Sequence, residues 1–157
     1  MPLPEDGPRG PTLGAAGERR RRAIVDRPEV AVGAVVRDER RRLLVIQRGQ
    51  PPMAGRWTLP GGRVERGESL AAAVAREVAE ETSLEVAVGP LVGIHEVVTE
   101  THHLVILDHL AEVTAGTPEA RSDAAAVAWM GRAELVDAGP TDGLLDFLDR
   151  HGVELAP

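Results

Sequence analysis

The chain has no cysteine and very few aromatic residues among its 157 residues. Without cysteine, disulfides, thiolate catalysis and zinc–sulfur sites are excluded. The aromatic side chains are Trp57, Trp129 and Phe147. The core must therefore be built from aliphatic residues, and few rings are available to stack on a substrate base.

Long apolar segments are also missing. The longest stretch without a formal charge is Val86–His95, which is far too short to span a bilayer. The N-terminus lacks the apolar core of a secretory signal peptide. These features predict a soluble, cytoplasmic protein with no membrane partner.

Positive charge is in deficit, since the formal net charge is −7. This balance argues against broad electrostatic binding to nucleic acid. It would also repel a substrate that carries phosphate groups. Bound divalent cations would remove this conflict, because they can be the largest local charges in a site.

The length fits one domain with its own hydrophobic core. Residues 1–23 are rich in proline and glycine and lack apolar periodicity, which predicts a flexible N-terminal tail, and residues 24–157 are predicted to form the domain. Within the tail, the run Arg19–Arg22 could contact RNA or acidic lipid. A solvated tail is the favoured interpretation, and we assign the run no function.

Apolar patterning predicts a mixture of strands and helices. Strands are predicted at Glu29–Val36 and Arg42–Gln47, forming a buried hairpin, at Trp57–Leu59, at Glu85–Val98 with a break at Gly89-Pro90, at His102–Glu112 and at Ala126–Met130. Helices are predicted at Ser69–Glu81, at Gly131–Asp137 and at Thr141–Arg150. This order indicates an α/β (α+β) domain in which helices cover the faces of a mixed sheet.

The helix Ser69–Glu81 carries an unusual acidic cluster. Glu77, Glu80 and Glu81 stand at i, i+3 and i+4, so they project onto neighbouring faces. Carboxylates this close should repel and raise one another's pKa, whereas Mg²⁺ would neutralise them. Just upstream, Leu59–Gly62 is predicted to form a tight turn whose open backbone lets a carbonyl reach a ligand. A solvated acidic face is the alternative that the residues alone leave open.

The segment Gly62–Leu84, GRVERGESLAAAVAREVAEETSL, resembles the Nudix box, G-x5-E-x7-R-E-U-x-E-E-x-G-U, where U is a bulky aliphatic residue. The matching positions are Gly62, Glu68, Arg76, Glu77, Val78, Glu80, Glu81 and Leu84. Ser83 replaces the last glycine, which normally ends the helix in a left-handed conformation. The resemblance implies a Nudix-type α/β/α sandwich and a hydrolase that cleaves the diphosphate linkage of a nucleoside diphosphate derivative.

The same resemblance implies residue roles. Glu77 and Glu81 would be the main ligands of Mg²⁺, for which Mn²⁺ can substitute, with help from Glu80 and the Gly61 carbonyl. Arg76 would orient the glutamates, and Glu68 would favour the positive end of the helix dipole. A metal-activated water would then attack one phosphorus in line with the leaving phosphate. The candidate catalytic residues are Glu77, Glu80, Arg76 and Asp123.

Several residues outside the box have two interpretations. Asp123 is a general-base candidate or a turn residue, and Glu100 and Glu96 are weaker candidates. His102 and His103 are either near the substrate or ordinary strand residues, with the second interpretation favoured. Arg48 and Arg56, which flank a proline-rich loop, are candidates for binding a substrate phosphate.

The substrate is expected to be a small-molecule nucleotide. The run Arg48–Trp57 resembles small bacterial members labelled ADP-ribose pyrophosphatases, which favours ADP-ribose or a related sugar nucleotide. The alternatives are a nucleoside triphosphate pyrophosphohydrolase of the sanitation type and a nucleotide-sensing domain without catalysis. The alanine-rich surface permits a homodimer without requiring one.

Overall fold

The computed structural model describes residues 26–157. The predicted tail and the Arg19–Arg22 run lie outside these residues. The strands are β1 (Glu29–Val36), β2 (Leu43–Arg48), β3 (Trp57–Thr58), β4 (Gly61–Arg63), β5 (Glu85–Val98), β6 (His103–Ala115) and β7 (Ala124–Met130). The helices are α1 (Leu70–Thr82), α2 (Arg132–Ala138) and α3 (Leu144–Arg150). No helix within residues 26–157 is long and apolar enough to cross a bilayer.

The strands form two sheets. A four-stranded mixed sheet has the order β4-β1-β6-β5, in which β1 and β6 are parallel and the other pairs are antiparallel. A three-stranded antiparallel sheet has the order β3-β2-β7. The mixed sheet predicted from the sequence is confirmed, whereas the division into two sheets was not predicted.

Helices cover both faces of these sheets, as the α/β/α sandwich requires. On β1, Val32, Ala34 and Val36 pack with the buried face of α1. Val35 points to the opposite face, where it packs with residues of α2 and α3. The alternation follows from the period of two along a strand. Because β1 and β2 are buried on both faces, their sequences are continuous apolar runs.

The predicted hairpin of β1 and β2 is wrong. The two strands belong to different sheets, and between them there is a single isolated bridge from Arg37 to Leu43. Asp38 stabilises the turn between β1 and β2, since its carboxylate accepts hydrogen bonds from the backbone amides of Arg40 and Arg42. β6 pairs along the whole of one edge of β1, and β4 pairs with Ala31–Gly33 on the other, so β2 meets this segment only at the bridge beside the connection.

Three smaller predictions also need correction. β5 runs through Gly89-Pro90 without a break and absorbs the irregularity in register shifts opposite β6. The helix predicted from Thr141 begins at Leu144. Gly61 and Gly62 are not in a tight turn, because they lie in the extended edge strand β4.

Candidate active site

Helix α1 is oriented by its apolar stripe. It begins after Ser69, whose hydroxyl accepts a hydrogen bond from the Ala72 amide at 3.1 Å. Ala73, Val74 and Val78 are buried against β1. Glu77 and Glu81 flank this stripe and are directed towards β4, the adjacent edge of the sheet. The helix therefore presents two carboxylates to one short strand.

Glu81 is the most buried of the three acids, with 8% of its surface exposed. Its Oε2 accepts a hydrogen bond from the Gly61 amide at 2.9 Å. Burial raises the pKa of Glu81 to about 8, with a smaller contribution from the negative charge of Glu77, while the bond from Gly61 acts in the opposite direction. A buried carboxylate of this kind is stabilised in its charged form by a cation.

Glu77 lies against the backbone of the next residue of β4. A Cβ atom at Gly62 would overlap the Glu77 carboxylate, so only glycine leaves room for it. Burial is also the largest cause of the raised Glu77 pKa, and Arg76 opposes it. As predicted, the charge of Glu77 raises the pKa of Glu81 and the charge of Glu80 raises that of Glu77, but desolvation contributes more in both cases.

The Gly61 carbonyl is accessible from the same direction as these carboxylates. Gly61 stands opposite Gly33 in the antiparallel ladder, and the neighbouring Pro60 carbonyl accepts a bond from Ala34 on β1. Bonding alternates along such a ladder, so the N–H and C=O of Gly61 both point away from β1. The carbonyl therefore lies on the free edge where the Gly61 amide meets Glu81.

Arg76 donates hydrogen bonds to three acidic residues, Glu68, Glu77 and Glu80. Its guanidinium binds both carboxylate oxygens of Glu68, at 2.7 and 3.0 Å, and donates to Glu77 at 2.8 Å and to Glu80 at 3.3 Å. A further bond reaches the Arg63 carbonyl at 3.1 Å. Hydrogen bonding to Arg76 lowers the pKa of Glu68 to about 2. Glu68 thus acts as an anchor for Arg76, a contact that the sequence did not predict.

We expect Arg76→Lys to lower kcat/KM by about 10- to 100-fold, because lysine cannot make the two-pronged contact with Glu68 while also holding Glu77. The Mg²⁺ concentration for half-maximal activity should rise, which a purely structural role would not produce. Steady-state kinetics across a Mg²⁺ titration provide the measurement. Arg132→Lys is the matched control, since Arg132 makes a similar contact with Asp149 elsewhere, and unchanged kinetics in Arg76→Lys would contradict the assigned role.

Glu80 is less constrained than Glu77 and Glu81, because half of its side-chain surface is exposed. Its ion pair is with Arg76, at 3.3 Å. Within the described part of the chain, no three Asp, Glu or His side chains already lie close enough together to enclose a metal ion. Arg76 draws Glu77 and Glu80 towards itself. A bound cation would compete with the guanidinium for these oxygens.

The C-terminal end of α1 has the left-handed conformation that the resemblance implies, although Ser83 replaces glycine there. This residue has φ 63° and ψ 15°, in the left-handed region, and its amide donates to the Ala79 carbonyl. Its hydroxyl donates to the Glu119 carbonyl at 3.2 Å. The amides of Glu119 and Arg121 in turn donate to the carbonyls of Thr82 and Glu81. The loop before β7 therefore caps the acidic helix.

Asp123 and Arg48 are brought to the edge of this site. The Gly49 amide donates to the Asp123 carbonyl at 2.9 Å, which joins the end of β2 to the start of β7. Besides burial, which has the largest effect on the Glu81 pKa, the charge of Asp123 raises that pKa and the charge of Arg48 lowers it. Both residues are therefore within electrostatic range of the buried carboxylate.

The remaining candidates lie elsewhere. Arg56 donates to the Pro140 carbonyl and to Asp142, between α2 and α3. His103 pairs with Glu96 at 2.9 Å across the β5–β6 hairpin. The other two candidates, His102 and Glu100, occupy the turn of that hairpin, where His102 contacts Thr101.

The sequence reasoning missed one polar pair. Asp108, 1% exposed, lies in the middle of β6, and its Oδ2 is 3.0 Å from Nδ1 of His95. The available signal was a single acid inside the run Leu104–Leu110, which is apolar apart from Asp108 and His109. A lone charge in a buried strand requires a partner or a function.

Comparison with known proteins agrees with this geometry. The family model of the NUDIX domain matches residues 27–149. A Mycobacterium tuberculosis protein named "Putative 8-oxo-dGTP diphosphatase 2" is 44% identical over 119 residues, which cover 72% of this chain and 81% of that protein. An ADP-ribose pyrophosphatase of Methanocaldococcus jannaschii is 34% identical over 99 residues, covering 62% of this chain and 58% of that protein.

Solved structures show the same relationship. The MutT NUDIX hydrolase of Burkholderia pseudomallei superposes with a TM-score of 0.69 at 27% identity, covering 79% of this chain and 98% of that one. The family generally requires a divalent metal and acts on small-molecule nucleotides. The family model, the relatives and the structural match agree, and the chain belongs to the Nudix family of pyrophosphohydrolases.

Proposed function

We propose that this enzyme is a Mg²⁺-dependent nucleoside triphosphate pyrophosphohydrolase of the sanitation type, with Glu77, Glu80, Glu81 and the Gly61 carbonyl as the metal-binding set. The observation that carries the proposal is the meeting of two glutamates of α1 with the backbone of Gly61 and Gly62 on β4. Carboxylate and carbonyl oxygens are the ligands that Mg²⁺ prefers.

The charge distribution supports a cation at this place. The buried Glu81 carboxylate has the Gly61 amide as its hydrogen-bond donor, and no arginine in the described part of the chain contacts it directly. When bound, Mg²⁺ or Mn²⁺ would neutralise the phosphate oxygens and lower the pKa of a bound water. The cation would also allow a protein of net charge −7 to hold a polyphosphate.

The chain's own residues have separate tasks in this proposal. Arg76, anchored on Glu68, fixes the orientation of the Glu77 and Glu80 side chains. Arg48 supplies a positive charge at the edge of the site for a substrate phosphate, and Asp123 is the general-base candidate that takes the proton of the attacking water. Both influence Glu81 electrostatically. Arg56 is less suitable for phosphate binding, because Pro140 and Asp142 already occupy its guanidinium.

The substrate assignment rests on similarity. The relative named as an 8-oxo-dGTP diphosphatase shares more identity and coverage with this chain than the ADP-ribose pyrophosphatase does. We therefore place nucleoside triphosphates ahead of ADP-ribose, which the loop Arg48–Trp57 favoured and which remains the second candidate.

Turnover of a substrate panel provides the test. The purified protein is incubated with Mg²⁺ and, separately, 8-oxo-dGTP, dGTP, dCTP, dTTP, ADP-ribose and diadenosine polyphosphates, with products identified by ion-exchange chromatography. We expect pyrophosphate and a nucleoside monophosphate from a triphosphate, and complete loss of turnover with excess chelator that added Mg²⁺ or Mn²⁺ restores.

Other outcomes have defined meanings. Faster cleavage of ADP-ribose than of every triphosphate would contradict the proposed substrate class while keeping the metal-binding set. Tight nucleotide binding without turnover of any substrate would contradict the enzyme and indicate a sensor. Turnover that resists chelation would contradict the metal-binding set.

A further inference from the structure

A buried acid lies in the mixed sheet apart from the glutamates of α1. Asp108 is 1% exposed and stands in the centre of β6. Its Oδ1 occupies the space where a side chain of Gly33 would be, so glycine on β1 is required for it to fit. The metal-binding set does not use this carboxylate.

The polar atoms of this pair are not satisfied. Asp108 Oδ2 and His95 Nδ1 approach to 3.0 Å, yet their orientation is not that of a hydrogen bond, and neither atom has another hydrogen-bond partner among residues 26–157. Leaving a buried carboxylate oxygen without a donor destabilises a fold. A buried polar group without a partner in a native protein requires an explanation, and one explanation is that a ligand supplies the missing partner.

His95 connects the buried acid to the surface. About a third of its side chain is exposed. Its ring is 5.1 Å from the ring of Phe147 on α3, which in turn is 4.6 Å from the ring of His151. The His151 ring packs directly on the backbone of Gly93 in β5. A Cβ atom at Gly93 would overlap this ring. His95 is thus held between α3 and the sheet with one edge open to solvent.

The pair lies in register with the metal-binding strand. Gly61 on β4 stands opposite Gly33 on β1, and Gly33 stands opposite Asp108 on β6. Two strand spacings separate Gly61 from Asp108, which is roughly 10 Å. Because the Gly61 carbonyl points away from β1, a nucleotide whose phosphates lie there must extend its base back over β1 to reach Asp108.

We propose that Asp108 and His95 form a specificity subsite that binds the nucleobase through one of its N–H groups. This inference rests on the proposed function, since it requires a nucleotide at the glutamates of α1. Asp108 accepts a hydrogen bond from the base, and His95 supplies a donor or acceptor beside it. Asp108 is shielded from water, so a base without a matching N–H leaves it unpaired and binds poorly.

The experiment compares His95→Phe and His95→Gln with the unaltered protein on 8-oxo-dGTP, dGTP, dCTP and dTTP. Phenylalanine keeps the ring packing against Phe147, and glutamine keeps a polar group. We expect His95→Phe to reduce the kcat/KM ratio between the best and worst base by about tenfold or more, mainly through KM, with partial rescue in His95→Gln. Asp108→Asn should change the same ratio, and thermal unfolding shows whether each variant is folded.

The controls separate this inference from the proposed function. His103→Phe changes another histidine of the same hairpin, which pairs with Glu96, and should leave the ratio unchanged. Equal losses for all four bases in folded His95 variants, or an unchanged ratio, would overturn the subsite and make the pair purely structural. Failure of the unaltered protein to cleave any of the nucleotides would instead contradict the proposed function, together with the substrate class on which the subsite depends.

Discussion

Glu81→Gln is expected to lower kcat by about 10³-fold or more, because it removes the charge of a buried carboxylate in the proposed metal-binding set while keeping the shape of the side chain. The amide oxygen can still accept the hydrogen bond from Gly61, so the strand and helix should remain in place. Because burial disfavours the charged form of Glu81, the metal-free variant should unfold at the same temperature as the unaltered protein or higher.

Mg²⁺ distinguishes the two proteins further. A ligand at about 100 times its Kd stabilises the native state by about 2.7 kcal/mol, so saturating Mg²⁺ should raise the melting temperature of the unaltered protein and leave Glu81→Gln unchanged. Glu85→Gln, at an exposed position just beyond the helix, is the matched control and should behave like the unaltered protein. Near-normal turnover by a folded Glu81→Gln would remove Glu81 from the metal-binding set.

Gly62→Ala is expected to reduce kcat by about 100-fold, since displacing a reacting group by about 1 Å has effects of this size. The added methyl group would overlap the Glu77 carboxylate and push it away from β4. Gly62 has no positive φ, so the backbone itself accepts alanine. The loss should therefore appear in kcat and in the Mg²⁺ requirement more than in the melting temperature.

A second glycine provides the comparison for this variant. At Gly89, in β5, an added Cβ would have the Leu110 carbonyl oxygen at 3.3 Å as its nearest atom, which requires only a small adjustment. Gly89→Ala should therefore keep full activity. If Gly62→Ala is as active as Gly89→Ala and its Mg²⁺ requirement is unchanged, the close approach of Glu77 to β4 is unimportant for catalysis.

The sequence predicted the acidic helix and most strands because both follow from local patterns. The stripe of Ala73, Val74 and Val78 set the orientation of α1, and the spacing of Glu77 and Glu81 placed both beside the buried face. The pairing of strands was harder to predict from the sequence. β1 and β2 are apolar on both faces, so alternation could not indicate that they belong to different sheets.

Long-range contacts were the part of the site that could not be predicted. Nothing local indicates that Glu68 anchors Arg76, or that Arg56 is occupied by Pro140 eighty-four residues away. The pair of Asp108 and His95 depends on the register of β5 and β6, which contains three irregularities that no pattern reveals. The causes of the raised pKa values likewise depend on burial, which is a property of the whole fold.

The loop that ends α1 has a consequence for how the chain tolerates change. Glu119 and Arg121 donate their amides to the carbonyls of Thr82 and Glu81, so an insertion or deletion between β6 and β7 would disturb the helix end that carries the buried acid. Surface loops ordinarily accommodate such changes in length. In this connection the number of residues is itself a constraint, and we expect length variants there to affect catalysis even though they alter none of the proposed metal ligands.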